Sequence, residues 1–194
     1  MLRIPKQWLA LIALLVLGLL FLEKSPTVLL DPVMETEPSE FPYAYMTDIE
    51  TIEFDTGGEM RYKMTTPAAR YFQLDPTTPG PNDYTLIDHP HILFYAEGDT
   101  SPWYLSAVKG HTDASGQRVR LTTNVEAQQD SKRHGVIRVT TSELLVHPAQ
   151  QYAETDKAVK MRARQSEIET EGMRAYLNED RIELLSQVRG TYAP

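Results

Sequence analysis

The chain has 194 residues, 41% of them hydrophobic, with 19 basic and 27 acidic residues, a formal net charge of −8 and no cysteine. The acidic balance, with no basic strip interleaved with aromatics, argues against a nucleic-acid partner. Without cysteine there can be no disulfides, Cys-ligated zinc or Cys-ligated iron–sulfur cluster, and no G-x-x-x-x-G-K-[ST] is present to hold a nucleoside triphosphate.

Residues 1–24 read MLRIPKQWLALIALLVLGLLFLEK, an uncharged run from Gln7 to Leu22 preceded by Arg3 and Lys6. A helix over that run spans roughly 24 Å against a hydrocarbon core of about 30 Å. Starting near Ile4, with Lys6 reaching back to the headgroups, it becomes long enough to cross. Positive charge before the run puts the N-terminus in the cytoplasm and exports the rest. No A-x-A-like site follows the run, so an uncleaved anchor is expected rather than a signal peptide. Residues 25–43 hold Pro26, Pro32, Pro38 and Pro42 among Asp31, Glu35, Glu37 and Glu40. This is a stiff acidic linker.

Residues 44–194 read as one domain of short strands. Apolar alternation places strands over 49–54, 60–66, 84–87, 92–96, 103–108, 118–125, 136–141, 144–147, 158–164 and 181–188. A turn is expected at Asp55-Thr56-Gly57-Gly58 and a longer one over 75–83. Strands at this spacing, with no 3.6-residue period after the anchor, predict an all-β sandwich or barrel-like domain. Residues 118–126 align without gaps to 181–189, a weak repeat that points to a stacked β architecture. In both copies alternate positions are apolar or small: Val119/Ile182, Leu121/Leu184, Thr123/Ser186 and Val125/Val188. That face is expected to point inward.

Motifs for chemistry are weak. Asp55-Thr56-Gly57 matches the D-T-G of aspartic proteases, but one copy supplies only one carboxylate, and a turn explains the residues more simply. Ser106-Ala107-Val108-Lys109 matches S-x-x-K without its S-D-N and K-T-G partners. His89 and His91 flank Pro90 and could share a metal only if further ligands converged on them. The residues thus predict no enzyme and no cofactor.

Several segments carry a family resemblance along nearly the whole chain: 69–72 (ARYF), 88–95 (DHPHILFY), 103–107 (WYLSA), 121–125 (LTTNV), 140–144 (TTSEL), 152–156 (YAETD), 171–175 (EGMRA) and 184–190 (LLSQVRG). With the N-terminal anchor, their order and spacing resemble the LptC family, the bitopic inner-membrane component of the bacterial lipopolysaccharide export bridge. The resemblance implies an open, twisted β-jellyroll of the OstA-like type in the periplasm, below one transmembrane helix. It implies a lipid-transfer role: lipopolysaccharide received from an ATP-driven inner-membrane transporter (LptB/LptF/LptG type) and passed through an apolar slot to a periplasmic bridge protein (LptA type). It also implies that the edge strand over 48–54 faces the transporter and that over 181–192 the bridge. The chain would then touch membrane lipid and lipopolysaccharide.

The slot is expected to be lined by Ile49, Ile87, Val119, Leu121, Val139, Leu144, Val146, Ile182, Leu184 and Tyr192. Val119, Leu121, Ile182 and Leu184 follow from the repeat, and the others from alternation or family-like position. Lys160, Arg162 and Arg164 alternate along one strand face. They read either as a contact for lipid A phosphates at the slot mouth or as a solvated face. A structural tether with no lipid in its core, and a membrane-anchored hydrolase, are the other readings.

Overall fold

A computed structural model of the chain describes residues 41–75, 77–95, 101–131 and 135–192. The expected anchor and all but the end of the linker lie outside them. The described residues form eleven antiparallel strands: β1 Ala44–Phe54, β2 Met60–Phe72, β3 Tyr84–Asp88, β4 His91–Phe94, β5 Trp103–Ser106, β6 Lys109–Asp113, β7 Val119–Ser131, β8 Gly135–His147, β9 Tyr152–Ala163, β10 Ser166–Tyr176 and β11 Arg181–Tyr192. All belong to one sheet. This large antiparallel β-domain is consistent with a jellyroll of the OstA-like type.

β2 pairs with β1 along one side. Along the other, its first part pairs with β4 and its last part with β3. β3 continues to β6 and β4 to β5, and both rejoin on β7. From β7 the sheet runs β8, β9, β10, β11. Among the described residues β1 bonds only to β2, and β11 only to β10, so both ends of the sheet are open edges.

The two ranges 136–141 and 144–147 form one strand, β8, and β9 starts at Tyr152 rather than at 158. The range 103–108 ends early at Ser106, and β6 and β10 are strands that alternation missed. β6 was hidden because its core-facing residue is Gly110. A Cβ there would lie 3.3 Å from both Ile87 Cβ and Pro90 Cγ. β10 was hidden because its buried positions change phase, from Thr170 to Met173 and Ala175.

That phase change belongs to a line of bulges across the sheet. Two residues face one at Thr123-Asn124 of β7 against β8, at 156–157 of β9 against β10, and at 187–188 of β11 against β10. Each extra residue bends its strand and raises its twist. The hydroxyls of the same region satisfy the carbonyls that the broken ladder leaves over. Thr141 Oγ1 donates to Ala158 O at 2.9 Å, Thr170 Oγ1 to Ser186 O at 2.7 Å, and Ser186 Oγ to Glu171 O at 2.9 Å. The repeat seen in sequence registers here. Its aligned residues Asn124 and Gln187 have φ of 53° and 51°, the same left-handed bulge position in β7 and β11.

The core sits on the inner face. Phe94, Leu105, Leu121, Val125 and Val146 are the largest of its apolar side chains with almost no exposure. Two buried glutamines tie the β2–β5 half to the β8–β11 half. Gln151 Nε2 donates to Tyr95 O at 2.9 Å. Gln129 Nε2 donates to Ser101 O at 3.0 Å and to Asp180 Oδ1 at 2.8 Å.

The long turn before β3 is organised by Asp83, which is 2% exposed. Its carboxylate accepts from Gly80 N (2.8 Å), Leu74 N (2.9 Å) and the Tyr71 hydroxyl (2.7 Å). The Gly80 and Leu74 amides, then the hydroxyl, hold its pKa below the ordinary carboxylate value. A depressed folded pKa adds stability above the unfolded pKa of about 3.9, and that stability is lost as pH falls through the folded value. We expect Asp83→Asn to lower the melting temperature at pH 7, and the gap from wild type to close below about pH 4. A gap that stays constant from pH 6 to pH 3 would show that the charge of Asp83 is not what holds the turn.

Candidate functional site

Chemistry finds no support in the geometry. Asp55 is a turn residue whose Oδ1 accepts from Gly57 N at 2.7 Å and Glu59 N at 2.9 Å, with Gly58 at φ 85°. Lys109 pairs with Asp88 at 2.6 Å. Ser106 ends strand β5, so the S-x-x-K residues do not share a helix. Among the described residues no three of His, Cys, Asp or Glu are grouped to hold a metal.

The inner face is the candidate. Val119, Leu121, Val139, Leu144 and Val146 fall in one buried cluster, and Ile182 and Leu184 pack against it from β11. Ile87 is buried apart from that cluster, beside Gly110. Ile49 is half-buried opposite Thr66 on the first edge. Tyr192 ends β11 and is 70% exposed. The structure thus brings seven of the ten expected residues together and leaves Ile49, Ile87 and Tyr192 at separate places.

The buried members pack on one another. The apolar surface that remains open is a continuation of the core which sequence reasoning left out. Val139 is buried, its β9 partner Met161 is half-buried, and Met161 pairs with the half-buried Ile168 of β10. Ile168 in turn faces Gly190 of β11. Ile137 flanks this row on one side, and Val188 is 53% exposed beside it on the edge strand. Apolar side chains therefore run from the closed core to a free sheet edge. Alternation along 181–188 carried the signal for Val188; for Ile168 it was broken by the bulge.

The basic residues stand elsewhere. Lys160 and Arg162 pair across β9 with Thr140 and Arg138, on the sheet face opposite Val159 and Met161. Their charges are already met. Lys160 bonds Glu167 and Glu169, the latter at 3.2 Å, and Arg162 Nε lies 2.6 Å from Glu167 Oε2. The Glu167 and then the Glu169 carboxylate push the Lys160 pKa up, and Lys160 and then Arg162 hold Glu167 below its ordinary value. Arg164 lies beyond the strand, in the β9–β10 turn. Lys160 and Arg162 thus form the solvated face, away from the apolar row.

Residues 9–193 match the family described as lipopolysaccharide-assembly, LptC-related. The chain belongs to that family. The comparison with curated proteins finds no match. LptC-related proteins are non-catalytic transport components, in keeping with a turn at Asp55 and a strand end at Ser106. Membership gives the chain a general role in lipopolysaccharide transport among the components of that export system. It also gives an inner-membrane location with the β-domain in the periplasm.

Proposed function

We propose that this LptC-related domain is a lipid-transfer station. It takes lipopolysaccharide from an ATP-driven inner-membrane transporter of the LptB/LptF/LptG type and moves it along the inner face toward a periplasmic bridge protein of the LptA type. The observation that carries the reading is the apolar row from Val139 through Met161 and Ile168 to the open edge at Val188. Each acyl CH₂ kept from water on such a row is worth about 0.8 kcal/mol. The two edges left unpaired among the described residues, β1 and β11, supply backbone donors and acceptors for neighbours of similar fold. β1 would meet the transporter and β11 the bridge, with the N-terminal apolar run as membrane anchor.

The closely packed cluster around Leu121 and Val146, both 0% exposed, favours a second reading, a tether with no lipid in its interior. Photo-crosslinking in cells separates the two. Probes at Ile182 and Val188 are expected to yield lipopolysaccharide adducts, and probes at Glu183 and Arg189, on the other face of β11, are not. Adducts at none of the four positions in a chain still assembled with its partners would establish the tether.

A further inference from the structure

The β9–β10 hairpin turns on two residues, Arg164 and Gln165, between the paired residues Ala163 and Ser166. Arg164 holds φ at +33°. A tight hairpin that needs a positive φ in its loop normally places Gly, Asn or Asp there, since other residues are strained in it. Its side chain crosses to the start of β8, where a Cβ on Gly135 would lie 3.4 Å from Arg164 Nε and 3.8 Å from Nη2. A strained arginine is therefore laid over a glycine that leaves room for it. Such strain in a residue that packs no core is a pointer to function.

The surroundings say what it would serve. Arg162 and Arg138 are direct cross-strand partners, an arrangement of like charges that is unfavourable on its own. Arg138 leans on Glu126 at 2.9 Å and donates to Gln128 Oε1 at 3.2 Å; Arg162 leans on Glu167. Arg164 has no acidic partner among the described residues. All three arginines line one groove of about 690 Å³. The same groove takes in Val136, 47% exposed, and Tyr192, 70% exposed, at the end of β11. Glu167 is the acidic residue lining it. In a chain of net charge −8 this is a local excess of positive charge beside exposed apolar surface.

We propose that this groove is a binding site for the phosphate monoester of an acylated sugar lipid, with Arg164 as its principal contact. The proposal rests on the transfer reading above and adds a headgroup subsite at the β11 end. A guanidinium suits the role because it can offer two parallel N–H donors to phosphate oxygens. Arg162 and Arg138 add charge while remaining anchored to their own glutamates.

The test uses the full chain in phosphatidylcholine nanodiscs, with lipid A bearing two phosphates and the same lipid after removal of both. Arg164→Gly is expected to weaken the phosphorylated lipid about tenfold, to leave the dephosphorylated lipid unchanged, and not to lower the urea midpoint, because glycine suits the turn. Arg118→Gln removes one charge at the other end of β7 and is expected to change neither affinity. Equal binding of the two lipids by wild type, or an equal loss of both in Arg164→Gly, would overturn the subsite while leaving the transfer reading intact. Binding of neither lipid by wild type would overturn both. Inorganic phosphate that displaces the lipid at equal phosphate concentration would mark a free-anion site and overturn the lipid assignment.

Discussion

Phe94→Ala is expected to lower the stability of the domain by about 3–5 kcal/mol, read as a shift of the urea midpoint. Phe94 is 1% exposed. Its ring lies 5.7 Å from that of Tyr62, and its cross-strand partners are Tyr62 on β2 and Trp103 on β5. Truncation removes the transfer energy of the ring and leaves a hole that strands on both sides cannot close without breaking their ladders. With a total stability of about 5–15 kcal/mol expected for a domain, a loss of that size is a large fraction. Tyr104 is the control. It is on the opposite face of β5, 54% exposed, and Tyr104→Ala is expected to stay within about 0.5 kcal/mol. Equal effects at the two sites would mean that the inner face is not the one holding the sheet together.

Gly172→Ala is expected to cost about 2–3 kcal/mol from two separable causes. Gly172 sits at φ +79°, where a side chain is strained. The added Cβ would also come 2.9 Å from Leu185 Cδ1 and 3.2 Å from Leu185 Cβ. Leu185 is 47% exposed, so Leu185→Ala alone is expected to cost little. In the double variant the contact with Leu185 Cδ1 disappears, while the 3.2 Å contact with the Cβ that alanine keeps and the backbone strain both stay, so less than half of the loss should return. Full recovery would assign the whole effect to crowding. No recovery would assign it to the backbone at the β9–β10 bulge and to the Cβ contact that remains.

The strands that alternation found are those whose inward positions are apolar and unbroken. β11 is one up to Leu184, ahead of its bulge, and β7 is another up to Leu121. β6 was silent because the residue it turns to the core is glycine, which has no hydropathy to alternate. β10 was silent because one residue at a bulge shifts its inward set from Ile168 and Thr170 to Met173 and Ala175. For the site, sequence reasoning reached the cluster around Leu121 and Val146 but not Met161 and Ile168. The alternation of Lys160, Arg162 and Arg164 was legible as one face. The glutamates of β10 that meet the first two depend on a register between separate strands.

By itself the sequence determined the all-β character, the turn at Asp55, the family and the inward sides of β7 and β11. The family rests on the order of segments spread along the chain; the others depend on close neighbours, within the two-residue period of a strand or the residues of one turn. What only the tertiary structure decided is which inward residues are closed and which stay open. Val125 and Val188 occupy the same place in the aligned copies, and both alternate correctly. Val125 is 2% exposed and Val188 is 53% exposed. β7 has strands on both sides and the core against its inner face, whereas β11 is the last strand of the sheet among the described residues. Burial depends on what else the chain brings to a side chain, and an edge is defined by a neighbour that is not there.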